Sequence, residues 1–344
     1  MTQINTVILG ASGYTGAELL RLLPTHPHFN IVALTGDSQA GKPIAEVYPH
    51  LAHQDLPDLV KMDAVDFSDV QLVFCCLPHG TTQEVIAGLP EHVKIVDLSA
   101  DFRLHDLDAY EEWYGHPHLA PELQPSAIYG LTEHTRNAVK ETRLVANPGC
   151  YPTCCLMPLV PLVTNDIIAI DAIIIHAISG ISGAGRGVKQ AMLYSELDGG
   201  ASAYGIGAHR HMAEMEEILS NLAGEEMHIS FTPHLAPFTR GMLATITLEL
   251  TEGNTLESAT ETLKSAYADE AFVHVQKNAP RTHEVRGTNQ CRISVHKGRR
   301  PNEIIVISAI DNLMKGASGA ALQNANLMFG FEETLGLEAG AVFP

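Results

Sequence analysis

One cysteine, Cys150, stands where the sequence predicts the start of a helix. In the segment Asn147-Pro-Gly-Cys-Tyr-Pro-Thr153, Pro148 disfavours helical backbone at Asn147, and Pro152 suits the first turn of a helix. The dipole and the free N–H groups of a helix N-terminus favour a thiolate. We therefore expect the pKa of Cys150 to lie below the ordinary value of about 8.5 and its sulfur to act as a nucleophile.

Four of the other five cysteines are expected to be structural. Cys75 and Cys76 lie in an apolar run typical of a buried strand, and Cys154 and Cys155 lie inside the predicted helix. The sequence contains no Cys-x-x-Cys, and its cysteine spacing suits neither a zinc site nor a disulfide framework. We predict no metal.

A thiolate enzyme needs an acid or base, and 18 histidines make residue type alone a poor guide. The glycine-rich segment Tyr204-Gly-Ile-Gly-Ala-His-Arg-His211 leads into a predicted helix and carries His209. Such a loop can place an imidazole beside a substrate for acid–base catalysis. His209 is the preferred candidate, while His79 and His234 follow predicted strands and stay open as alternatives.

Three glycines at the start of the chain predict a dinucleotide site. The apolar strand Thr6-Val-Ile-Leu9 runs into Gly10-Ala-Ser-Gly-Tyr-Thr-Gly16, and a helical pattern follows. Glycine permits the tight turn and lets a pyrophosphate approach the helix N-terminus. The spacing departs from the commoner G-x-G-x-x-G, so the strand and helix around it carry the interpretation. The expected cofactor residues are Gly10, Ser12, Gly13, Tyr14, Thr15 and Gly16.

The loop after the second predicted strand bears on cofactor choice. Asp37 is suited to a ribose 2′-hydroxyl and favours NAD, whereas Ser38 and Lys42 can hold a 2′-phosphate and favour NADP. We predict NADP, because an exposed Asp37 can turn towards water, where solvent and salt screen its charge.

Two further polar segments follow predicted strands. Ser179-Gly-Ile-Ser-Gly-Ala-Gly-Arg186 can offer backbone N–H groups to an anion or to a nicotinamide amide, and a flexible loop is the alternative. Its expected cofactor residues are Ser179, Gly180, Ser182 and Gly183. Arg103 can clamp a phosphate, and an ordinary surface ion pair with Asp101 is the alternative.

Composition narrows the class of protein. A chain of 344 residues predicts about two domains, and a formal charge of −19 opposes binding to nucleic acid or to an anionic membrane. The first residues lack the pattern of a secretory signal, and no apolar run is long enough for a membrane span. We expect a cytoplasmic protein.

The alternation of strands and helices predicts an α/β fold. The first part reads as a Rossmann domain with a parallel sheet, although 101–122 looks irregular. The second part reads as an α+β domain on a mostly antiparallel sheet, in which His176 is expected to be a core residue of its strand. Its predicted strands are 172–178, 242–250, 291–296 and 304–310; its predicted helices are 189–197, 211–222 and 256–268. Residues 312–329 are expected to be helical.

These segments together resemble the N-acetyl-γ-glutamyl-phosphate reductase family, type 1, within the semialdehyde dehydrogenase superfamily. The match runs through nearly the whole chain, and NPGCYPT with a downstream HRH is its most specific part. The matching segments are GASGYTG (10–16), LPHG (77–80), DLSADFRL (97–104), YGLTE (129–133), NPGCYPT (147–153), SGISGAGR (179–186), HRH (209–211), FTPHLAPFTRG (231–241) and DNLMKGASG (311–319).

The resemblance implies domain bounds, roles and partners. It implies an NADP-binding Rossmann domain at 1–149 to which 312–344 returns, and a catalytic and dimerisation domain at 150–311. A homodimer or homotetramer is expected. Cys150 would be the nucleophile and His209 the acid or base. The residues implied at the substrate are Tyr204, His211, Glu214 and, at its phosphate, Arg103; Asn312 is implied near the nicotinamide.

The implied reaction is NADPH-dependent reduction of an acyl phosphate, N-acetyl-γ-glutamyl phosphate, to the semialdehyde in arginine biosynthesis. A cysteine thioester suits it, because hydride can reduce a thioester. Three alternatives remain at this point: aspartate-semialdehyde dehydrogenase, the aminoadipyl-phosphate reductase of lysine biosynthesis, and a non-catalytic dinucleotide-binding redox sensor. The first departs around NPGCYPT and HRH, and the last has no need of HRH.

Overall fold

The computed structural model describes residues 3–343. The chain forms two compact units. The first comprises the residues up to Pro148 together with Ala317–Ala339, and the second comprises Gly149–Gly316 together with the residues from Gly340 onward. The bounds proposed from the sequence differ from these at residue 149, at 312–316 and after residue 339.

A seven-stranded sheet organises the first unit. Its strands are β1 (Ile4–Leu9), β2 (Phe29–Thr35), β3 (Leu59–Val60), β4 (Leu72–Cys75), β5 (Lys94–Asp97), β6 (Ala127–Tyr129) and β7 (Leu144–Ala146). Their order is β3-β2-β1-β4-β5-β7-β6, and every neighbouring pair is parallel. Apolar side chains of β1, β4, β5 and β7 form a buried core, as the continuous apolar runs of parallel strands predict.

Helices join the strands of this sheet, and a late segment returns to it. The helices are α1 (Tyr14–Leu22), α2 (Ile44–Val47), α3 (Thr82–Ala87), α4 (Leu107–Tyr114), α5 (Thr132–Glu141) and α10 (Gly319–Met328). Buried Asn324 of α10 accepts a hydrogen bond from the Thr132 hydroxyl (2.8 Å) and donates one to the Gly130 carbonyl (2.9 Å). These bonds anchor the returning helix, because a buried amide needs partners.

The second unit is built on a mixed sheet that is mostly antiparallel, as the sequence predicts. Its strands are β8 (Ile174–Gly180), β9 (Ser202–Ala203), β10 (Ser230–Ala236), β11 (Met242–Glu249), β12 (Val273–Val275), β13 (Cys291–Lys297) and β14 (Glu303–Ile310). The order is β12-β13-β14-β11-β8-β10-β9. Only the pairs β8–β10 and β12–β13 among them are parallel.

Helices pack on this sheet, and its strands bury alternate residues. The helices of the unit are α6 (Cys150–Thr164), α7 (Tyr194–Leu197), α8 (His211–Ala223) and α9 (Leu256–Ala266). Helix α6 packs against β11 and β14, α9 packs against β13, and α8 packs on α6. Along β8, buried Ile175 and Ala177 alternate with exposed Ile174, His176 and Ile178. The expectation that His176 is a core residue is therefore wrong, because its side chain lies on the exposed face of an alternating strand.

Three other sequence-based expectations need correction. The stretch 101–122 is not wholly irregular, since α4 forms there with Asp106 as its N-cap. The predicted helix at 189–197 is only a 3₁₀ turn, Gln190–Met192, and the four-residue α7. The predicted helix at 312–329 begins instead with a π turn, Met314–Ser318, before α10.

Candidate active site

Cys150 is the first residue of α6 and is half-buried. Gly149 is the N-cap, with extended backbone (φ −68°, ψ 156°) and no capping side chain of its own. Cys154 and Cys155 point into the core and are fully buried, as expected. Burial raises the pKa of both thiols well above the ordinary range, so neither competes with Cys150 as a thiolate.

A carboxylate from another helix supports the start of α6. Glu214 lies in the first turn of α8 and is 2% exposed. Its Oε1 accepts a hydrogen bond from the N–H of Gly149 at 2.8 Å. The family resemblance implies Glu214 near the substrate, and this stays a prediction; the structure shows Glu214 bonded to the backbone beside Cys150.

Four aromatic rings gather around the residue that follows the cysteine. The Tyr151 ring makes edge contacts with His209, His211 and Phe231, at centroid distances of 5.6, 5.9 and 5.2 Å. The Tyr204 ring contacts His209 at 5.4 Å, and the two imidazoles are 4.8 Å apart. The second unit thus brings together His209, Tyr204 and His211, three of the residues predicted for catalysis and substrate binding.

The contacts of His209 define the tautomer and the charge of its ring. Its Nδ1 accepts a hydrogen bond from the His211 N–H at 3.2 Å, so in the neutral ring the proton is on Nε2. Burial, and next the positive charge of Arg210, lower the pKa of His209 to about 4. The ring is therefore uncharged at neutral pH and offers an N–H donor.

Two tyrosine hydroxyls extend this set of donors. The Tyr204 hydroxyl donates to the Tyr151 hydroxyl (3.1 Å), which donates to the carbonyl of His234 (3.3 Å). Burial raises the pKa of Tyr204 to about 12 and that of Tyr151 further, and the nearby Cys150 raises both. Both hydroxyls therefore keep their protons at neutral pH.

The segment after β8 is held by a neighbouring turn. The N–H groups of Gly180, Ile181 and Ser182 donate to the carbonyls of Gly241, Phe238 and Thr239. The segment is expected to offer backbone N–H groups to an anion or to a nicotinamide amide, and the structure shows these three bonded to backbone oxygens. Ser179 and Ser182 are buried, whereas Gly183 is exposed.

Asn312 organises the same segment. Its Oδ1 accepts from the Gly241 N–H (2.8 Å), and its Nδ2 donates to the Ser182 hydroxyl (2.9 Å). Buried at 2% exposure, Asn312 thus joins the end of β14 to both loops. Whether it also contacts a nicotinamide stays a prediction.

The glycine-rich turn of the first unit fits a pyrophosphate. Gly10 has φ +77°, and a Cβ there would lie 2.5 Å from the Cys76 carbonyl oxygen. A Cβ at Gly16 would lie 2.6 Å from the Ala11 Cα, so α1 packs closely on the turn. Gly13 is the N-cap of α1 and carries no side chain that would cover the first N–H groups. The three glycines thus provide the tight turn, the close helix packing and the open helix N-terminus that a dinucleotide-binding turn needs.

Three polar side chains on the loop after β2 contact one another in a row. Asp37–Gln39 forms a 3₁₀ turn, and Lys42 Nζ donates to Gln39 Oε1 at 3.0 Å. Gln39 Nε2 lies 3.5 Å from the Ser38 hydroxyl. A cation and a hydroxyl are therefore neighbours at the surface, while Asp37 is also exposed.

Arg103 is buried, at 5% exposure, so the alternative of a surface ion pair is wrong. Its Nε donates to the carbonyl of Asn147 (2.8 Å) and its Nη2 to that of Leu98 (3.1 Å). Nearby, the Asp101 carboxylate accepts from the N–H groups of Gly80 and Thr82. The DLSADFR segment is thus tied to the residues that follow β4.

The sequence analysis missed three residues of the site. Tyr151 and Phe231 lie inside the quoted motifs NPGCYPT and FTPHLAPFTRG, but no spacing rule places their rings beside His209. Gly316 lies in DNLMKGASG, and a Cβ there would come 2.8 Å from the Cys150 Cβ. Among residues 3–343, no group of three or more His, Cys, Asp or Glu side chains is arranged to hold a metal ion. The same residues include no helix with the length and apolarity needed to cross a bilayer.

Comparison with known families covers both units. The NAD-binding domain of semialdehyde dehydrogenases matches residues 5–142, and the dimerisation domain of semialdehyde dehydrogenases matches residues 150–312. Among solved structures, aspartate semialdehyde dehydrogenase II of Vibrio cholerae gives a TM-score of 0.74 at 15% identity, covering 96% of this chain and 99% of that one. The NADP-containing enzyme of Candida albicans gives 0.70 at 18%, covering 95% and 99%. At such identities the likeness shows the fold alone.

Sequence relatives are much nearer. A probable chloroplastic N-acetyl-γ-glutamyl-phosphate reductase of Arabidopsis thaliana is 55% identical over 339 residues, which are 98% of this chain and 84% of the relative. An N-acetyl-γ-glutamyl-phosphate reductase of Rhodospirillum rubrum is 51% identical over 349 residues, covering 99% of each. The chain therefore belongs to the N-acetyl-γ-glutamyl-phosphate reductase family of semialdehyde dehydrogenases.

Proposed function

We propose that the chain reduces N-acetyl-γ-glutamyl phosphate to N-acetylglutamate semialdehyde, with release of phosphate, through a thioester on Cys150. The family is one of oxidoreductases of arginine biosynthesis. The observation that best supports this mechanism is the half-buried Cys150 at the first residue of α6, next to a ring cluster that holds His209.

The steps follow from the groups that the chain supplies. Cys150 Sγ attacks the acyl carbon, the bond to the phosphate oxygen breaks, and a thioester remains. NADPH, when bound, would supply the hydride that reduces this thioester. The resulting thiohemiacetal collapses, its C–S bond breaks, and aldehyde leaves as the thiolate of Cys150 is regenerated. His209 donates a hydrogen bond from its Nε2–H to the acyl oxygen while negative charge develops there, and it keeps that bond until the C–S bond breaks and the carbonyl re-forms.

Further residues are proposed to bind the substrate. Tyr204 and His211 lie in the ring cluster and carry hydrogen-bonding groups. Arg103 is proposed as the ligand of the phosphate, since a guanidinium has five N–H donors and the Asn147 and Leu98 carbonyls fix its orientation.

NADP is the proposed cofactor. The glycine turn would hold the pyrophosphate, and Ser38 and Lys42 would hold the 2′-phosphate. Their support is the polar chain Lys42–Gln39–Ser38 on the loop after β2. Ser179, Gly180, Ser182, Gly183 and Asn312 are proposed on the nicotinamide side.

A homo-oligomer is proposed through the exposed face of the mixed sheet. The matched dimerisation domain spans this sheet, and Ile174 and Ile178 of β8 are each 38% exposed there. An apolar, open sheet face in an otherwise strongly acidic chain suits contact with a second copy. A dimer or a tetramer would bury it.

A reducing compartment suits the protein, because all six cysteines are free thiols. We propose the cytoplasm; the plant relatives carry the word chloroplastic in their names.

Cys150→Ser is expected to abolish turnover, because serine is a far weaker nucleophile than a thiolate and forms no thioester. The assay is NADPH oxidation with N-acetylglutamyl, aspartyl and aminoadipyl phosphates as parallel substrates. Cys291→Ser is the matched control. Cys291 is buried beside the Ser308 hydroxyl, and we expect its variant to keep turnover. Near-native turnover of Cys150→Ser would overturn the mechanism, and a preference for another acyl phosphate would overturn the substrate.

His209→Asn is expected to lower kcat by roughly 10²–10⁴, the range for lost acid–base catalysis. His211→Asn should act more on KM. An ordinary histidine gains its proton near pH 6.5, but the pKa of His209 is about 4, so kcat should show no inflection from this residue between pH 6 and 8. Steady-state kinetics against pH decides, and an inflection near 6.5 that His209→Asn removes would contradict the neutral ring.

Lys42→Ala is expected to weaken NADPH binding about tenfold or more and to change NADH binding little, since only NADPH carries the 2′-phosphate. Asp37→Ser should strengthen NADPH binding modestly and leave kcat nearly unchanged. Fluorescence titration measures both dissociation constants. Equal losses for the two cofactors would show that Lys42 does not contact the phosphate, and tighter wild-type binding of NADH would reverse the cofactor assignment.

Ile174→Glu is expected to dissociate the oligomer, because it places like charges in the apolar face that two copies bury. Light scattering after size-exclusion chromatography gives the mass. Val32→Glu is the control, an apolar residue of the first unit with a matching 39% exposure. An unchanged mass for Ile174→Glu, or a monomeric wild type, would reject this interface.

A further inference from the structure

We propose that Cys150 is held in its reactive position by two elements of its own unit, the Glu214 carboxylate and the turn Asp311–Gly316. Both are positioning groups and are assigned no contact with substrate. The inference rests on the proposed role of Cys150 as nucleophile.

Glu214 fixes the backbone immediately before the cysteine. The N–H of an N-cap residue makes no bond within its helix, and at Gly149 the Glu214 Oε1 accepts it. Gly149 has no side chain to restrict its own torsions, so this bond sets the direction in which the chain enters α6. Since Glu214 is 2% exposed and lies in α8, the restraint comes from a packed helix rather than from a mobile surface group.

Gly316 meets the cysteine itself. A Cβ built at residue 316 would lie 2.8 Å from the Cys150 Cβ, 3.3 Å from its Cα and 3.2 Å from Ile310 Cδ1. The φ of Gly316 is not in the left-handed region, so glycine is required here for space and not for torsion. The Gly316 backbone therefore forms a wall against the base of the nucleophile's side chain.

Asp311 makes this wall rigid. Its Oδ1 accepts from the N–H groups of Leu313 and Met314 (2.8 and 3.2 Å), and its Oδ2 accepts from Gly287 (2.7 Å). Arg240 Nη1 lies 3.6 Å from the same Oδ2. The Gly316 N–H donates to the Asp311 carbonyl (3.0 Å), five residues back. This i→i+5 bond draws Gly316 inward, and such π turns recur at functional sites.

Together the two contacts restrict the movement of the Cys150 backbone and of its Cβ. The thiolate must meet an acyl carbon and then hold the thioester for hydride transfer, and a misplacement of about 1 Å can cost on the order of 10²-fold in rate. A contact that only positions the sulfur acts on kcat, whereas a substrate ligand acts on KM.

Gly316→Ala is expected to lower kcat about 10- to 10²-fold and to leave KM within about threefold, because it pushes the cysteine without touching a substrate contact. Gly340→Ala is the matched control, a glycine of the same unit whose added Cβ would meet nothing within 4 Å. Circular dichroism and the melting temperature report on folding, and the alkylation rate of Cys150 by iodoacetamide, read on its peptide by mass spectrometry, reports on the thiol without substrate.

Two variants of Glu214 test its bond to the Gly149 N–H, and their result does not depend on whether Gly316→Ala folds. Glu214→Gln keeps an oxygen that can accept the Gly149 N–H, whereas Glu214→Leu removes it. We expect Glu214→Leu to lose kcat at near-constant KM and Glu214→Gln to recover most of it. A rise in KM with unchanged kcat in Glu214→Leu would show a substrate ligand and overturn the positioning role.

Unchanged kcat in both Gly316→Ala and Glu214→Leu, together with an inactive Cys150→Ser, would overturn this inference alone. An active Cys150→Ser would overturn the thioester mechanism as well. The two failures are therefore distinguishable from one set of purified variants.

Discussion

The hydrogen bond between Glu214 and the Gly149 N–H is the constraint that links α8 to the start of α6. A buried carboxylate is costly unless it is bonded, so this bond favours the packing of α8 on α6 that brings Oε1 to the N-cap. Helix α8 begins at His211, directly after the loop that holds His209. One buried bond therefore joins the backbone beside Cys150 to the helix that follows the two imidazoles.

The donors gathered in this unit are uncharged. Burial keeps His209 neutral, with a pKa of about 4, and keeps Tyr204 protonated, with a pKa of about 12. Neutral N–H and O–H groups can stabilise an oxyanion as it develops, and they do not pair in advance with the acidic side chains that abound in a chain of charge −19. The ring contacts of Tyr151 and Phe231 hold these donors in place without adding charge.

The parts that the sequence predicts well are those that depend on local pattern. The apolar run before Gly10, the glycine turn and the helix after it are neighbours in the chain, so periodicity and glycine spacing are enough to predict them. Pro148 and Pro152 likewise place Cys150 at a helix start. Helix α4 was missed because its His-, Tyr- and Pro-rich surroundings mask the signal, although Asp106 is a good N-cap. His176 was misjudged because an apolar strand can be buried on one face only.

What the sequence does not show depends on contacts between distant segments. Gly10, Gly16 and Gly316 are all glycines, but for different reasons. Gly10 adopts a left-handed φ, and Gly16 leaves room for α1 to pack on the turn before it. Gly316 leaves room for Cys150, which is far from it in sequence but belongs to the same unit. A local pattern can predict the first two, because their causes lie within a few residues. The third has no local cause, so only the folded unit shows why a side chain is excluded at the residue that faces Cys150.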